Sequence, residues 1–163
     1  MTHVYNFNAG PAILPQEVLA EAQQELLDYH GIGMSVLEIS HRSKEYEAIN
    51  SEAEARIKRL LGIGDDFHVL FLQGGASLQF AMLPMNFLPA GATADYVITG
   101  AWAEKAYEEA KKIGQASIAA NVQDSNFNRM PSPAELQLSE NSAYVHICSN
   151  ETIQGTQWHG YPD

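Results

Sequence analysis

A short apolar run broken by two adjacent glycines constrains this chain more than any other feature. Residues 67–80 read FHVLFLQGGASLQF. Phe67 to Leu72 has the length and character of a buried strand. Gln73, Gly74 and Gly75 interrupt it, and Leu78, Met82 and Met85 then recur at helical spacing. Strand, glycine pair and helix start make an arrangement that can hold a phosphate. Glycine lets the backbone come close, and the free N–H groups of a helix N-terminus point at the anion. The same pattern also serves as a tight strand-to-helix turn with no ligand, so the residues alone leave both readings open.

The remaining composition narrows the partners. The chain has 163 residues, enough for one domain with a real core. Nine Lys and Arg stand against 20 Asp and Glu, a formal net charge of −11. A chain so acidic offers no basic patch for nucleic acid or an anionic membrane. A small anion held by one arginine and one helix terminus remains compatible with it. The single cysteine, Cys148, has no disulfide partner and reads as a small core residue on a strand. His3, His30, His41, His68, His146 and His159 contain no H-x-x-x-H pair, and no zinc-type Cys/His spacing occurs. There is no signal-peptide pattern and no apolar run near the roughly 18 residues that a membrane span needs. The default expectation is a cytoplasmic protein.

In chain order, residues 1–15 form an arm whose Asn8, Gly10, Pro11 and Pro15 oppose regular structure. A helix starts at Pro15 or Gln16, with Val18, Leu19, Ala22, Leu26 and Leu27 on one face and Gly31 as its stop. A connector over Ile32 to Ser40 leads to Ser43, which can cap a helix running to about Leu61, followed by Gly62. After the central segment, Pro84 interrupts the helical pattern. Ala94 to Thr99 reads as a strand, Trp102 to Lys112 as a helix, and Ser117 to Asn121 as a strand. Residues 122–133 form a loop, a short helix lies near Ala134–Gln137, and Ser142 to Cys148 is a further strand. Residues 149–163 read as a polar loop. Strands alternating with helices imply an α/β fold with a mainly parallel sheet and flanking helices. Nothing after the last strand covers the sheet, so the chain reads as the first part of something larger.

Four stretches together carry a resemblance: FNAGPAILP at 7–15, GMSVLEISHRSKE at 33–45, LFLQGGASLQFAMLPMN at 70–86 and YVHICSNETIQGTQW at 144–158, with ADYVITGAWAEKA at 94–106 between them. In this order they resemble the phosphoserine aminotransferases, pyridoxal-phosphate enzymes of the class-V, fold-type-I group. The similarity runs the length of the chain but covers less than half of the family's usual length. It implies that residues 16–163 are the first part of the cofactor-binding large domain, with the rest of that domain and the small domain absent. It also implies a homodimer for the full-length protein and pyridoxal 5'-phosphate as cofactor.

Residue by residue, the resemblance matches Gly75, Ala76 and Ser77 to the turn that holds the cofactor phosphate. Trp102 matches the aromatic that stacks on the pyridine ring, where a flat apolar face fixes the ring plane. Thr152 matches the hydroxyl that bonds the ring oxygen. His41 and Arg42 match the pair used for the anionic substrate, Arg42 offering a planar fork to a carboxylate. Without the family, Trp102 reads as a core aromatic, Thr152 as a turn hydroxyl and His41–Arg42 as a solvated pair.

One departure matters. The family's Schiff-base lysine has no counterpart here, because Lys44, Lys58, Lys105, Lys111 and Lys112 all fall in predicted helices rich in other charges. The implied reaction moves an amino group from L-glutamate to 3-phosphohydroxypyruvate. It gives 2-oxoglutarate and O-phospho-L-serine in serine biosynthesis; a parallel role in vitamin B6 synthesis would take a phosphohydroxythreonine substrate, and the sequence does not decide it. This chain alone is expected to be inactive in that reaction. Two other readings stand beside it: a lysine-free, non-catalytic phosphate-binding remnant of the fold, and another class-V enzyme. A desulfurase would need a reactive loop cysteine, which a strand position for Cys148 disfavours.

Overall fold

The computed structural model describes residues 4–161. His3, in the expected N-terminal arm, and Pro162 and Asp163, at the end of the expected domain, lie outside them. The chain divides into two compact units, Met1–Phe71 and Leu72–Asp163.

In the first unit, residues 4–15 form neither helix nor strand. Helix α1 spans Gln16–Glu25 and ends short of Gly31. The cause is local. The Asp28 carboxylate accepts the Gly33 N–H at 2.8 Å, and the Tyr29 N–H bonds the Met34 carbonyl at 2.8 Å. These bonds turn the chain before a further helical turn can form. The connector holds a short 3-10 turn at Val36–Glu38, closed by a reciprocal capping box between Ser35 and Glu38. Helix α2, Lys44–Leu61, follows its sequence signals at both ends. The Ser43 hydroxyl accepts the Tyr46 N–H at 3.2 Å, and Gly62 ends the helix in the left-handed region at φ 65°.

The apolar run Phe67 to Leu72 corrects the strand expected there. It forms no strand, and Phe67, Leu70, Phe71 and Leu72 are all more than half exposed. Strand preference is realised only against a neighbouring ladder and a covering face. Among the described residues no segment supplies either.

The second unit carries the sheet. Helix α3 spans Gly75–Phe87 and retains Pro84 inside it. Strand β1, Thr93–Ile98, is followed by helix α4, Ala101–Lys111, and strand β2, Gln115–Asn121. Strand β3 is Ser142–His146. Both pairings of β1 are parallel and the order is β2-β1-β3. This bears out the expected parallel α/β architecture. Ala94, Asp95, Tyr96, Val97 and Ile98 are all buried in the central strand. Burying an aliphatic side chain such as Val97 or Ile98 contributes roughly 1.5–3 kcal/mol. Helix α4 buries Ala103, Ala106 and Ala110, small residues that let it lie close on the sheet. Asp95, fully buried, accepts both the Ser139 N–H at 2.9 Å and its hydroxyl at 2.8 Å, so its charge is not stranded. The Tyr96 ring stacks on His146 at 4.7 Å, and burial pushes the His146 imidazole below its ordinary pKa.

Two sequence expectations fail at the end of the chain. Strand β3 stops at His146, so Cys148 lies beyond it. The expected polar loop contains a small antiparallel hairpin, β4 at Asn150–Glu151 and β5 at Thr156–Gln157. Among the described residues, no helix is long and apolar enough to cross a membrane.

The ends of α2 give a direct test. Gly62→Ala forces a side chain into the left-handed region, at a cost of about 1–2 kcal/mol. Ser43→Ala removes a cap, costing about 1 kcal/mol. Urea unfolding measures both, and a neutral Gly62→Ala would contradict the left-handed stop.

Candidate active site

Two helix N-termini and the hairpin of the second unit build the site. Helix α3 begins on Gly74, whose φ of 94° and close packing both demand glycine: a Cβ there would meet the Leu78 side chain at 2.5 Å. Gly74 also has no side chain to cap the helix, and no side-chain cap bond is present. The N–H groups of Gly75, Ala76 and Ser77 therefore open the helix without an intrahelical partner, in a first turn with no acidic residue. By contrast, α2 is capped by its own serine.

Helix α4 is also capped, by a residue that sequence reasoning missed. Glu151, fully buried on β4, accepts the Trp102 N–H at 3.0 Å and the Ala103 N–H at 2.9 Å. The Thr99 hydroxyl lies 3.4 Å from the same carboxylate. A carboxylate at a helix N-terminus is stabilised by the peptide dipoles as well as by these bonds. No pattern in the sequence marks it, since a single Glu in a polar stretch carries no periodic signal.

The structure joins Trp102 and Thr152 directly. The Trp102 indole N–H donates to the Thr152 hydroxyl oxygen at 2.8 Å. That bond occupies one lone pair and leaves the hydroxyl's own hydrogen for another acceptor. Ser77 is tied to the same helix through a second residue missed from sequence. The Lys105 ammonium donates to the Ser77 hydroxyl at 2.9 Å and lies 5.8 Å from the Trp102 ring centroid. In the sequence Lys105 reads as one more charge on a helix. Its position one helical turn after Trp102 was the available signal.

An anion-accepting helix end, an ammonium, an aromatic ring and a directed hydroxyl fit a phosphorylated aromatic cofactor such as pyridoxal phosphate. His41 and Arg42 are exposed in the turn before α2, in the first unit, where the Arg42 N–H bonds the Ser40 hydroxyl at 3.2 Å. Cys148 is half-buried, its thiol 3.5 Å from the Asn150 carbonyl. Burial, with the Glu151 charge adding to it, pushes the thiol up to about 11. Among the described residues no cluster of His, Cys, Asp and Glu could hold a metal ion.

A raised thiol pKa keeps Cys148 protonated at neutral pH and removes the nucleophile. Alkylation by iodoacetamide should accordingly be slow at pH 8 and accelerate only as the pH approaches about 11. Rapid modification at pH 8 would reverse this assignment.

Comparison with known proteins identifies the family. The class-V aminotransferase family model matches residues 4–162. A phosphoserine aminotransferase of Herpetosiphon aurantiacus is 62% identical over 160 residues, covering 98% of this chain and 44% of that protein. One from Halalkalibacterium halodurans is 56% identical over 162 residues, covering 99% of this chain and 45% of its own length. Among solved structures, phosphoserine aminotransferase from Bacillus circulans subsp. alkalophilus superposes with a TM-score of 0.90 at 55% identity, covering 99% of this chain and 45% of that one. The PLP-bound phosphoserine aminotransferase from Trichomonas vaginalis gives a TM-score of 0.90 at 40% identity, covering 99% and 48%. The chain thus spans a little under half the length of these relatives. It belongs to the class-V aminotransferase family.

Proposed function

We propose that the chain is the N-terminal part of a phosphoserine aminotransferase. In this reading it contributes one wall of a pyridoxal 5'-phosphate site in a cytoplasmic homodimer. The substrates are L-glutamate and 3-phosphohydroxypyruvate, and the products serve serine biosynthesis; a parallel use in pyridoxine biosynthesis would take a phosphohydroxythreonine substrate instead. The observation that carries it is the Trp102–Thr152 hydrogen bond beside an uncapped α3 N-terminus. Identities of 62% and 56% to phosphoserine aminotransferases favour this reading over a non-catalytic remnant.

Each residue has a role fixed by its chemistry. The backbone N–H groups of Gly75, Ala76 and Ser77 bind the cofactor phosphate at the positive end of α3. Lys105 adds a point charge beside Ser77 and offsets a strongly acidic chain at that spot. Trp102 covers one ring face, and Thr152 donates its remaining hydrogen to the ring oxygen. When bound, the cofactor supplies an electron sink for the carbanion at the substrate α-carbon. Arg42 grips the substrate carboxylate with two parallel bonds, and His41 takes the phosphate end. The lysine that would move the α-proton is not among this chain's five lysines, so the chain alone is inactive in transamination.

Two substitutions in the full-length enzyme test the assignments. Arg42→Ala should raise KM for glutamate by about tenfold or more, the loss expected when a charged hydrogen-bonding partner is removed. An unchanged KM would take Arg42 out of the substrate clamp. Trp102→Ala should weaken cofactor retention, measured as the dissociation constant for pyridoxal phosphate. Unaltered affinity would return Trp102 to a packing role.

A further inference from the structure

Glu151 caps α4 from the hairpin rather than from the helix's own N-terminal stretch. The residue sits on a two-residue strand, immediately before Thr152, and the N–H groups that it takes are those of Trp102 and Ala103. We propose that Glu151 is the positioning residue for the ring end of the cofactor site. It locks the start of α4 to the hairpin, so that the Trp102 face and the Thr152 hydroxyl are presented as one rigid unit to a planar, phosphorylated pyridine. This rests on the cofactor reading given above.

Three observations support it. First, Trp102 and Thr152 are 50 residues apart in sequence, and the bond between their side chains is exposed. An exposed neutral hydrogen bond competes with water and contributes little by itself. The Glu151 bonds end on a fully buried carboxylate and are charge-assisted, so they are the ones able to hold the register. Second, Glu151 is fixed at its own backbone. The Gly155 N–H bonds the Glu151 carbonyl at 2.8 Å across the hairpin turn, and Glu151 pairs with Thr156. Third, the chain leaves room for it. A Cβ on Gly100 would fall 2.6 Å from the Glu151 carboxyl carbon and 2.6 Å from the Gln154 side-chain oxygen. The backbone of Gly100 is extended, so space rather than conformation requires glycine here.

The test separates the ring end from the phosphate end, using the full-length protein. Glu151→Gln keeps the shape but replaces one acceptor oxygen by an amide that cannot accept a second N–H. Gly100→Ala presses on the same carboxylate from the backbone side. Pyridoxal phosphate affinity is followed by quenching of tryptophan fluorescence. The affinity of inorganic phosphate is read from its competition with the cofactor, and folding from circular dichroism. The expected result in either folded variant is about tenfold weaker pyridoxal phosphate binding. Inorganic phosphate binding should stay within about twofold, because its site on α3 is untouched. Cofactor affinity within about twofold of the parent in a folded variant would overturn the proposal. Equal weakening of both ligands would also overturn it, since that signature belongs to general loosening. Failure of both variants to fold would assign Glu151 to stability alone. If the parent protein binds no pyridoxal phosphate, the cofactor reading itself falls and takes this one with it.

Discussion

The close seat of α4 on β1 is the constraint on which the second unit depends. Ala103, Ala106 and Ala110 are all buried there, and β1 is itself buried from Ala94 to Ile98. A larger residue at any of these alanines would lift the helix from the sheet, in an interior that tolerates little added volume. Everything at the ring end follows from this seat. Trp102 and Lys105 project from the same helix, and the first turn of α4 lies where Glu151 can reach it. The sheet is therefore more than a scaffold: it sets the position of one helix, and that helix sets the side chains.

The electrostatics are local. A net charge of −11 would repel an anionic ligand at long range, but salt screens that field over about 8–10 Å. What matters at the site is the set of N–H dipoles at α3 and the single ammonium of Lys105 beside Ser77. The two buried carboxylates of this unit are each hydrogen-bonded by specific donors. Asp95 is satisfied by Ser139, and Glu151 by the start of α4. An acidic chain can thus keep one electropositive spot without a basic surface.

Much of this was legible in the sequence where a local rule decides. Helix α2 was readable because Ser43 and Gly62 satisfy its ends through contacts a few residues away. The start of α3 was readable because two glycines punctuate the pattern, and β1 because the short run Tyr96, Val97 and Ile98 is bounded by turn residues on both sides. The run at 67–72 misled because a strand is a pairwise object, and its periodicity says nothing about whether a partner is present. The hairpin at 150–157 was invisible for the opposite reason, since two-residue strands have no period to detect. The roles expected of Trp102 and Thr152 came from the family resemblance, whereas the glycine turn before Ser77 is marked by the residues themselves. Glu151 and Lys105 act through partners 48 to 49 and 28 residues away, a distance at which side-chain chemistry leaves no mark on sequence spacing.

The two helix starts of the second unit differ in one respect with a consequence for ligand entry. One is left open on Gly74, and the other is plugged by an internal carboxylate. Both carry the same partial positive charge, so an unplugged α4 would be a rival berth for any phosphate. The Glu151 carboxylate fills the second helix end, each of its oxygens engaged by a backbone N–H. Of these two helix starts, α3 is the one whose first N–H groups have no side-chain cap. In the proposed site an anion offered to both would find free donors at α3 alone, so the capping pattern itself would set which way round a ligand lies.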